Sequence, residues 1–319
     1  METQFCLGKS FTMKKYIPKL FFLFFVLLCM VVLYGCCKKE TVPDAPTGLV
    51  ATAGNAQATV TFTATASNGG SAITGYTVTS SPGGKTGTGS ASPVTVTGLT
   101  NLTSYTFTVV ATNINGNSAA STASNSVIPG TVTNPTTGRI WMDRNLGASQ
   151  VATSSTDAAS YGYLYQWGRL TDGHQIRTSG TTTTLSSSNT PGHGNFILAP
   201  NSSYDWRSPQ NDNLWQGVSG TNNPCPTGYR LPTEVEWNAE RLSWSTNNSA
   251  GAFASPLKLP LAGYRDGSNG SLYYVGSLGY YWSSTVSSTY SRHLHFLSSG
   301  AVMYSYARAY GFSVRCLKD

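Results

Sequence analysis

The sequence predicts two folded domains of different class, an all-β sandwich followed by a mixed α+β domain with long loops. Three observations carry this prediction. Residues 43–130 contain short segments in which apolar and polar side chains alternate, separated by glycine-rich turns. One helix signal and several strand signals follow in the last third of the chain. All seven tryptophans and fourteen of the eighteen tyrosines lie in residues 131–319, so composition also separates the two domains.

Composition narrows the class of partner. Charged residues make up 10% of the 319 residues, against roughly 25% in ordinary soluble domains. Ser, Thr, Asn and Gly supply the polarity instead, which favours strands and turns over helices. The formal net charge is +7, but from Lys38 onward the chain has 16 basic and 12 acidic residues, a net charge of +4. Because no dense Lys/Arg stripe occurs, nucleic acid is not an expected partner.

Residues 1–35 predict an export signal. Met13-Lys14-Lys15 is a short basic region, Met13 is the predicted start of translation, and fifteen apolar residues follow at positions 20–34. This run fits a signal peptide and is shorter than the 18 or more residues of a membrane-spanning helix. An uncleaved anchor helix is the alternative. In either case the rest of the chain is expected outside the cytoplasm.

Leu33-Tyr34-Gly35-Cys36 resembles the lipobox of bacterial lipoproteins, in which a small residue precedes the acylated cysteine. The resemblance implies cleavage after Gly35, lipidation of Cys36 and a linker over residues 36–42. Three acyl chains would hold the protein durably in a bilayer, since each buried methylene contributes about 0.8 kcal/mol. The expected location is the outer membrane, on the cell surface or the periplasmic face.

Only two cysteines remain for the folded part, Cys225 and Cys316, because the other four lie in the leader or the anchor. Two cysteines in an oxidising compartment favour one disulfide. It would close a span of 91 positions (316 − 225). The chain-entropy model gives such a bond roughly 4.6 kcal/mol of stabilisation.

The first domain, residues 43–130, is predicted to be a β-sandwich. Several short strands at regular spacing are typical of this architecture, and in residues 105–109 the period of two places Tyr105, Phe107 and Val109 on one face. The alternating segments lie at residues 59–62, 76–79, 94–97 and 105–109.

These residues resemble a fibronectin type III domain. Leu99 and Tyr105 match its tyrosine-corner segment. Its tryptophan of the second strand is absent, so Phe62 or Val60 is expected to fill the core. Because the domain contains no motif for chemistry, it is expected to be a spacer that holds the second domain away from the membrane. Its remaining motif residues are Pro43, Pro46, Leu49 and the run 111–116.

In the second domain, residues 131–319, one helix is predicted to begin after Thr233, which forms a capping box with Glu236. Helical spacing places Val235, Ala239 and Leu242 on one face. The acids of this helix are interpreted as capping and solvated residues, because the helix dipole favours acids near an N-terminus. They are Glu234, Glu236 and Glu240.

Strands are predicted at residues 281–284, 293–296, 302–306 and 312–316, with a turn at Ser298-Ser299-Gly300. Residues 150–224, rich in Thr, Ser, Asn and Gly, predict long loops of the kind that are functional or mobile.

Six ordered motifs resemble the Fibrobacter succinogenes major paralogous domain of bacterial envelope lipoproteins. That family is similar to the C-type lectin and formylglycine-generating-enzyme superfamily, which implies a mixed α+β fold with long loops. It would also explain a Cys225–Cys316 bond. The motifs occupy residues 141–146, 161–167, 225–233, 236–237, 281–285 and 314–319.

The favoured function is a non-enzymatic binding or adhesion module, with a carbohydrate or a surface protein as its ligand. Aromatic faces stack on apolar sugar surfaces while polar groups hold hydroxyls. No cofactor and no catalytic residue are expected. The candidate ligand contacts, chosen because they are aromatic residues in loop-like sequence, are Trp206, Trp215, Tyr264, Tyr273 and Tyr274.

Two other functions stay open. One is a purely structural envelope protein. The other is an enzyme resembling the formylglycine generators, which would need reactive cysteines that a Cys225–Cys316 bond removes. For metals, His293 and His295 share one side of a strand without an evident third ligand, so no metal site is predicted. Residues 266–270 form an oxygen-rich loop that is interpreted as a turn, with calcium as the alternative.

Overall fold

The computed structural model describes residues 39–199 and 204–319. The predicted signal peptide and the predicted lipidation site Cys36 lie outside the described residues. In the described part of the chain, no helix combines the length and the apolar character needed to cross a membrane.

Over the described residues 39–130, seven strands form two sheets. The sheet order is β1-β2-β5 in one sheet and β4-β3-β6-β7 in the other, with every pair antiparallel. The predicted sandwich is confirmed. The strands are β1 (Thr47–Gly54), β2 (Gln57–Thr63), β3 (Gly75–Ser81), β4 (Thr86–Gly89), β5 (Val94–Thr97), β6 (Thr106–Asn113) and β7 (Gly116–Asn117).

The core of the sandwich follows the predicted alternation. Tyr105, Phe107 and Val109 are all buried. The hydroxyl of Tyr105 accepts a hydrogen bond from the Thr100 N–H at 3.1 Å, which is the expected tyrosine corner. Phe62 and Val60 are both buried in this core, as expected in the absence of the tryptophan, and Phe62 packs on Tyr76 with ring centroids 4.9 Å apart.

A serine ladder closes one edge of the four-stranded sheet. Ser118, Ser121 and Ser124 lie every third residue along the segment after β7 and dock on β6. Each donates its backbone N–H to a β6 carbonyl, at 2.8, 3.0 and 2.9 Å respectively. Each hydroxyl accepts the N–H of the same β6 residue, at 2.9 to 3.0 Å. The β6 partners are Ala111, Val109 and Phe107.

The second domain is built on small sheets and one long antiparallel hairpin sheet, β16-β17-β18. The other sheets of the described residues have the orders β10-β19-β14-β15, β11-β12 and β13-β20-β9-β8. The strands are β8 (Thr131–Thr133), β9 (Ile140–Met142), β10 (Tyr165–Gln166), β11 (Thr181–Thr182), β12 (Phe196–Ile197), β13 (Tyr229–Arg230), β14 (Tyr264–Arg265), β15 (Leu272–Tyr273), β16 (Gly279–Ser287), β17 (Tyr290–Leu297), β18 (Gly300–Ala307), β19 (Gly311–Phe312) and β20 (Leu317–Lys318).

Three of the four predicted C-terminal strands are confirmed as β16, β17 and β18, and the predicted turn joins the last two. The fourth, over residues 312–316, is wrong as one continuous strand, because this segment changes partners. Ser313 bridges to β16, whereas the carbonyls of Val314 and Cys316 accept from Leu146 and Met142 at 3.0 and 2.9 Å.

Two α-helices occur in the described part of this domain, α1 (Glu234–Leu242) and α2 (Ser249–Ala254). The capping box of α1 is confirmed, since Thr233 accepts from the Glu236 N–H and Glu236 accepts from the Thr233 N–H.

The predicted shared face of Val235, Ala239 and Leu242 is the exposed face of α1. Val235 and Leu242 are 77% and 69% exposed, whereas Trp237 and Glu240 are buried. The indole of Trp237 packs 4.8 Å from that of Trp141 and therefore turns its own side of the helix to the core. Glu240 is not solvated. Its carboxylate accepts from the Asn134 amide at 2.6 Å and the Trp244 indole at 3.1 Å, and burial raises its pKa.

Candidate ligand-binding surface

Two of the five predicted ligand contacts are core residues. Trp206 and Trp215 are both 0% exposed. The Trp206 indole N–H donates to the Trp167 carbonyl at 2.7 Å, and the Trp215 ring packs 5.7 Å from that of Trp167. The prediction was wrong for both because the long loop folds back over the domain, and large rings are what such an irregular segment buries.

The other three predicted contacts meet at one surface. Tyr264 and Tyr273 are register partners in β14 and β15, with ring centroids 5.7 Å apart. Tyr274 follows directly, 6.0 Å from Tyr264. Tyr273 and Tyr274 are 41% and 56% exposed. Antiparallel pairing thus brings together side chains that the sequence separates by nine or ten positions, and their role as ligand contacts stays a prediction.

Tyr274 is held in an uncommon backbone conformation. Its φ is 53°, in the left-handed region that costs a non-glycine residue roughly 1–2 kcal/mol. The turn is fixed by its carbonyl, which accepts from the N–H groups of Ser277 and Leu278 at 3.0 and 3.1 Å. An exposed aromatic residue maintained at this cost is a candidate for function.

The aromatic surface continues beyond the predicted residues. Tyr310 lies 5.8 Å from Tyr264, and Tyr306 lies 4.6 Å from Tyr310. We call Tyr274, Tyr273, Tyr264, Tyr310 and Tyr306 the tyrosine row. Sequence reasoning missed the last two because they stand in a strand pattern and in the turn after it. The only signal was the recurrence of tyrosine at positions 304, 306 and 310.

A carboxylate lies beneath the row. Burial raises the pKa of the Tyr306 hydroxyl, and the nearby Asp266 carboxylate adds to that effect. Burial, with Asp266 nearby, raises the pKa of Tyr310, and burial is the main reason that the pKa of Tyr264 reaches about 12. These hydroxyls therefore stay protonated at neutral pH.

The loop that carries Asp266 is a turn. Asp266 Oδ1 accepts from the N–H groups of Ser268 and Asn269 at 2.8 and 3.3 Å, and also from the Ser268 hydroxyl. This oxygen is already committed to the loop itself. The predicted turn is confirmed.

Two histidine arrangements in the second domain bear on catalysis and metal binding. His174 Nδ1 lies 2.6 Å from Asp172 Oδ1, but His174 Nε2 accepts the Gln166 N–H at 3.1 Å. With both ring nitrogens engaged, and with burial lowering its pKa to about 4, His174 has no free nitrogen to take a substrate proton.

His293 and His295 share a face of β17 and both stack on Tyr280. His293 is buried, and burial is the main reason that its pKa falls to about 3. Among the described residues, no group of three His, Cys, Asp or Glu side chains is arranged to hold a metal.

Cys225 and Cys316 form a disulfide, as predicted. They are the only cysteines in the described ranges, so those ranges contain no free thiol. The enzyme hypothesis required such a thiol.

Comparison with protein families supports the predicted fibronectin type III fold of the first domain. Residues 44–127 match the fibronectin type III domain. The chain contains a fibronectin type III domain. Residues 241–317 match a domain of unknown function, DUF8237. No curated protein matches the chain at a significant level.

Solved structures align with part of the chain. A titin fragment of three domains is 34% identical, over 27% of this chain and 32% of its own length, with a TM-score of 0.26. The FN1–FN3 domains of chicken CNTN1 are 23% identical over 29% and 35%, with a TM-score of 0.25. A titin module from human cardiac muscle is 27% identical over 27% and 92%, with a TM-score of 0.25. The chain thus spans about a third of the length of the first two.

Proposed function

We propose that the protein is a non-enzymatic binding module of the cell envelope, in which the tyrosine row binds a carbohydrate and the fibronectin type III domain is a spacer. The observation that carries the proposal is the cluster of Tyr264, Tyr273 and Tyr274 at one exposed surface. Aromatic rings offer flat apolar area to the C–H faces of sugars at a low cost in side-chain entropy. The protonated tyrosine hydroxyls both donate and accept hydrogen bonds, as sugar hydroxyls do.

The anchoring belongs to the same proposal. The basic region at Met13, the apolar run and the lipobox ending at Cys36 support export and acylation, and the disulfide suits an oxidising compartment. We place the protein in the outer membrane, with its second domain in the C-type-lectin-like superfamily. Mass spectrometry of the purified protein tests the anchor: an unmodified Cys36 with the leader still attached would refute it.

The binding test is a glycan array and a surface-protein pull-down with residues 38–319. Tyr274→Ala is expected to weaken binding of any ligand found by tenfold or more, without lowering the melting temperature, because the ring is mostly exposed. Val235→Ala is the matched control. This side chain is also exposed, and it lies on α1, which packs against the opposite face of the hairpin sheet.

The outcomes separate the candidates. If the ligand found is a protein and Tyr274→Ala abolishes its binding, the tyrosine row remains the binding site but its ligand is not a carbohydrate. A ligand indifferent to both Tyr273→Ala and Tyr274→Ala would refute the row. A folded protein that binds neither class would favour the purely structural role.

A further inference from the structure

An aromatic cavity adjoins the tyrosine row. It has a volume of about 310 Å³ and is bounded by four tyrosine rings together with Ser305 and Ala307. Two of the rings, Tyr204 and Tyr290, are exposed and lie 5.9 Å apart. We call Tyr204, Tyr290, Tyr306 and Tyr310 the tyrosine box.

The walls of the box are positioned by the strands beneath it. Tyr290 begins β17, and its register partner in β18 is the small residue Ala307. Tyr204, like Tyr274, is held in the left-handed region, with φ of 47°, and its carbonyl accepts the Ala309 N–H at 3.1 Å. Two exposed tyrosines of one surface are therefore kept at a backbone cost that a glycine would not incur.

The turn between Tyr306 and Tyr310 is anchored from below. Arg308 is fully buried, and its guanidinium lies 4.6 Å from the centre of the Trp167 ring. Its Nη2 donates to Asp212 at 2.7 Å and to the Ser288 carbonyl at 3.0 Å. Because Arg308 is fixed in the core, the tyrosines on either side of it are held at the surface in fixed places.

Tyr306 and Tyr310 belong to the box and to the row at once. From Tyr306 through Tyr310 and Tyr264 to Tyr274, successive ring centroids are 4.6, 5.8 and 6.0 Å apart. The junction lies beside the Asp266 carboxylate, whose charge acts on both Tyr306 and Tyr310. The two parts thus form one continuous strip of rings with polar groups at its centre.

We infer that the row and the box together form one extended cleft for a linear, uncharged oligosaccharide, which occupies both parts and crosses the Tyr306–Tyr310 junction. This inference rests on the proposed function and names its ligand class. Several rings in series suit a ligand of several units, since each further unit bound to the same molecule adds contacts without a second loss of translational freedom.

The charge of the cleft argues for a neutral chain. Apart from tyrosines, the row and box residues and the junction carry one ionisable side chain, Asp266, which is nearly buried. Arg265 and Arg308 are buried and hydrogen-bonded, and Arg292, which donates to the box residue Ser305 at 3.0 Å, is paired with Glu234. An anionic polysaccharide would therefore meet a carboxylate with no free cation on the strip to balance it.

The test is calorimetric titration of the full-length protein with cello-, xylo- and malto-oligosaccharides of one to six units. For the series that binds, affinity should rise tenfold or more between two and five units. Tyr290→Ala, in the box alone, should abolish this gain and leave binding of the two-unit ligand unchanged. Tyr274→Ala, in the row alone, should weaken binding of both the two-unit and the five-unit ligand. Tyr290→Phe should retain the gain and controls for folding.

Each outcome decides. An affinity independent of chain length, or a chain-length gain that survives Tyr290→Ala, overturns the extended cleft and leaves the proposed function standing on the row. Preferential binding of an anionic polysaccharide or a peptide overturns the ligand class. If no carbohydrate binds the folded protein, both the inference and the carbohydrate part of the proposed function fail.

Discussion

At the scale of the single residue, Asp205 shows how burial sets chemistry in this domain. Its carboxylate lies 3.7 Å from Arg308 Nη1, and both side chains are buried. Burial raises the pKa of Asp205 to about 6, and the Arg308 guanidinium offsets only part of that effect. The unfolded chain ionises this group near pH 3.9.

The free energy of unfolding is therefore expected to fall as the pH rises through the pKa of Asp205. A raised folded-state pKa contributes stability that is fully present below the unfolded pKa and is lost as pH rises through about 6. The loss amounts to about 3 kcal/mol at most, since one pKa unit corresponds to about 1.4 kcal/mol. Asp205→Asn should remove this decline from curves of unfolding free energy between pH 4 and 7. Asp212→Asn, an exposed partner of the same arginine, should keep it; parallel curves for wild type and Asp205→Asn would contradict the assignment.

The aromatic residues mark the limit of sequence reasoning at this scale. Trp206 and Tyr274 both stand in loop-like sequence, yet one is 0% and the other 56% exposed. The two residues differ because Trp206 has a hydrogen-bond partner distant in sequence, which a local sequence pattern cannot predict. The Trp206 indole finds the Trp167 carbonyl, 39 positions away in sequence. The clustering of Tyr264, Tyr273 and Tyr274 was within reach, because a short turn brings neighbouring segments together.

At the scale of the element, the serine ladder makes a sharp prediction. Ser121→Ala removes the acceptor of the buried Val109 N–H and is expected to cost about 1–3 kcal/mol. Thr122→Ala, at the exposed neighbouring position, should stay within about 0.5 kcal/mol of wild type. Chemical denaturation of the fibronectin type III transition measures both. Equal effects from the two variants would mean that the hydroxyl of Ser121 is dispensable.

Elements whose side chains follow the sequence period of a strand or an α-helix were predictable, whereas the serine ladder was not. The strands of the sandwich alternate with period two, and the capping box of α1 is a local signature. The ladder has a period of three, as in a polyproline II helix, and resembles neither a strand nor an α-helix pattern. Helical spacing places Val235, Ala239 and Leu242 on one face of α1 but does not say which face is buried. The structure buries Trp237, which packs between Trp141 and Tyr281.

At the scale of the whole molecule, reduction of the disulfide should separate the unfolding transitions of the two domains. The fibronectin type III domain has no cysteine, whereas the Cys225–Cys316 bond closes 91 positions of the second domain. A reductant should lower the unfolding free energy of the second domain by up to about 4.6 kcal/mol and leave the first transition in place. Calorimetry with and without dithiothreitol measures this, and Cys225→Ala/Cys316→Ala should reproduce the reduced trace. A common shift of both transitions would show that the domains unfold as one unit.

Several residues of the motifs that resemble the paralogous family lie in the interior and connect one motif to another. Arg315 is fully buried and donates to Asn145 at 3.0 Å, and thereby joins the first motif to the last. Trp141 packs on Trp237 in the same way. The tyrosine row lies outside all six motifs. The resemblance could therefore indicate the interior of the second domain, while the candidate binding surface had to be found from the packing of side chains.

One feature of the sheet order β13-β20-β9-β8 bears on biogenesis. Strand β20 sits between β13 and β9, yet it follows every other strand along the chain. During synthesis, which starts at the N-terminus, the sandwich can close as soon as it emerges, but this sheet stays incomplete until its last strand arrives. The second domain is therefore expected to remain an incomplete, aromatic-rich intermediate until β20 has been made.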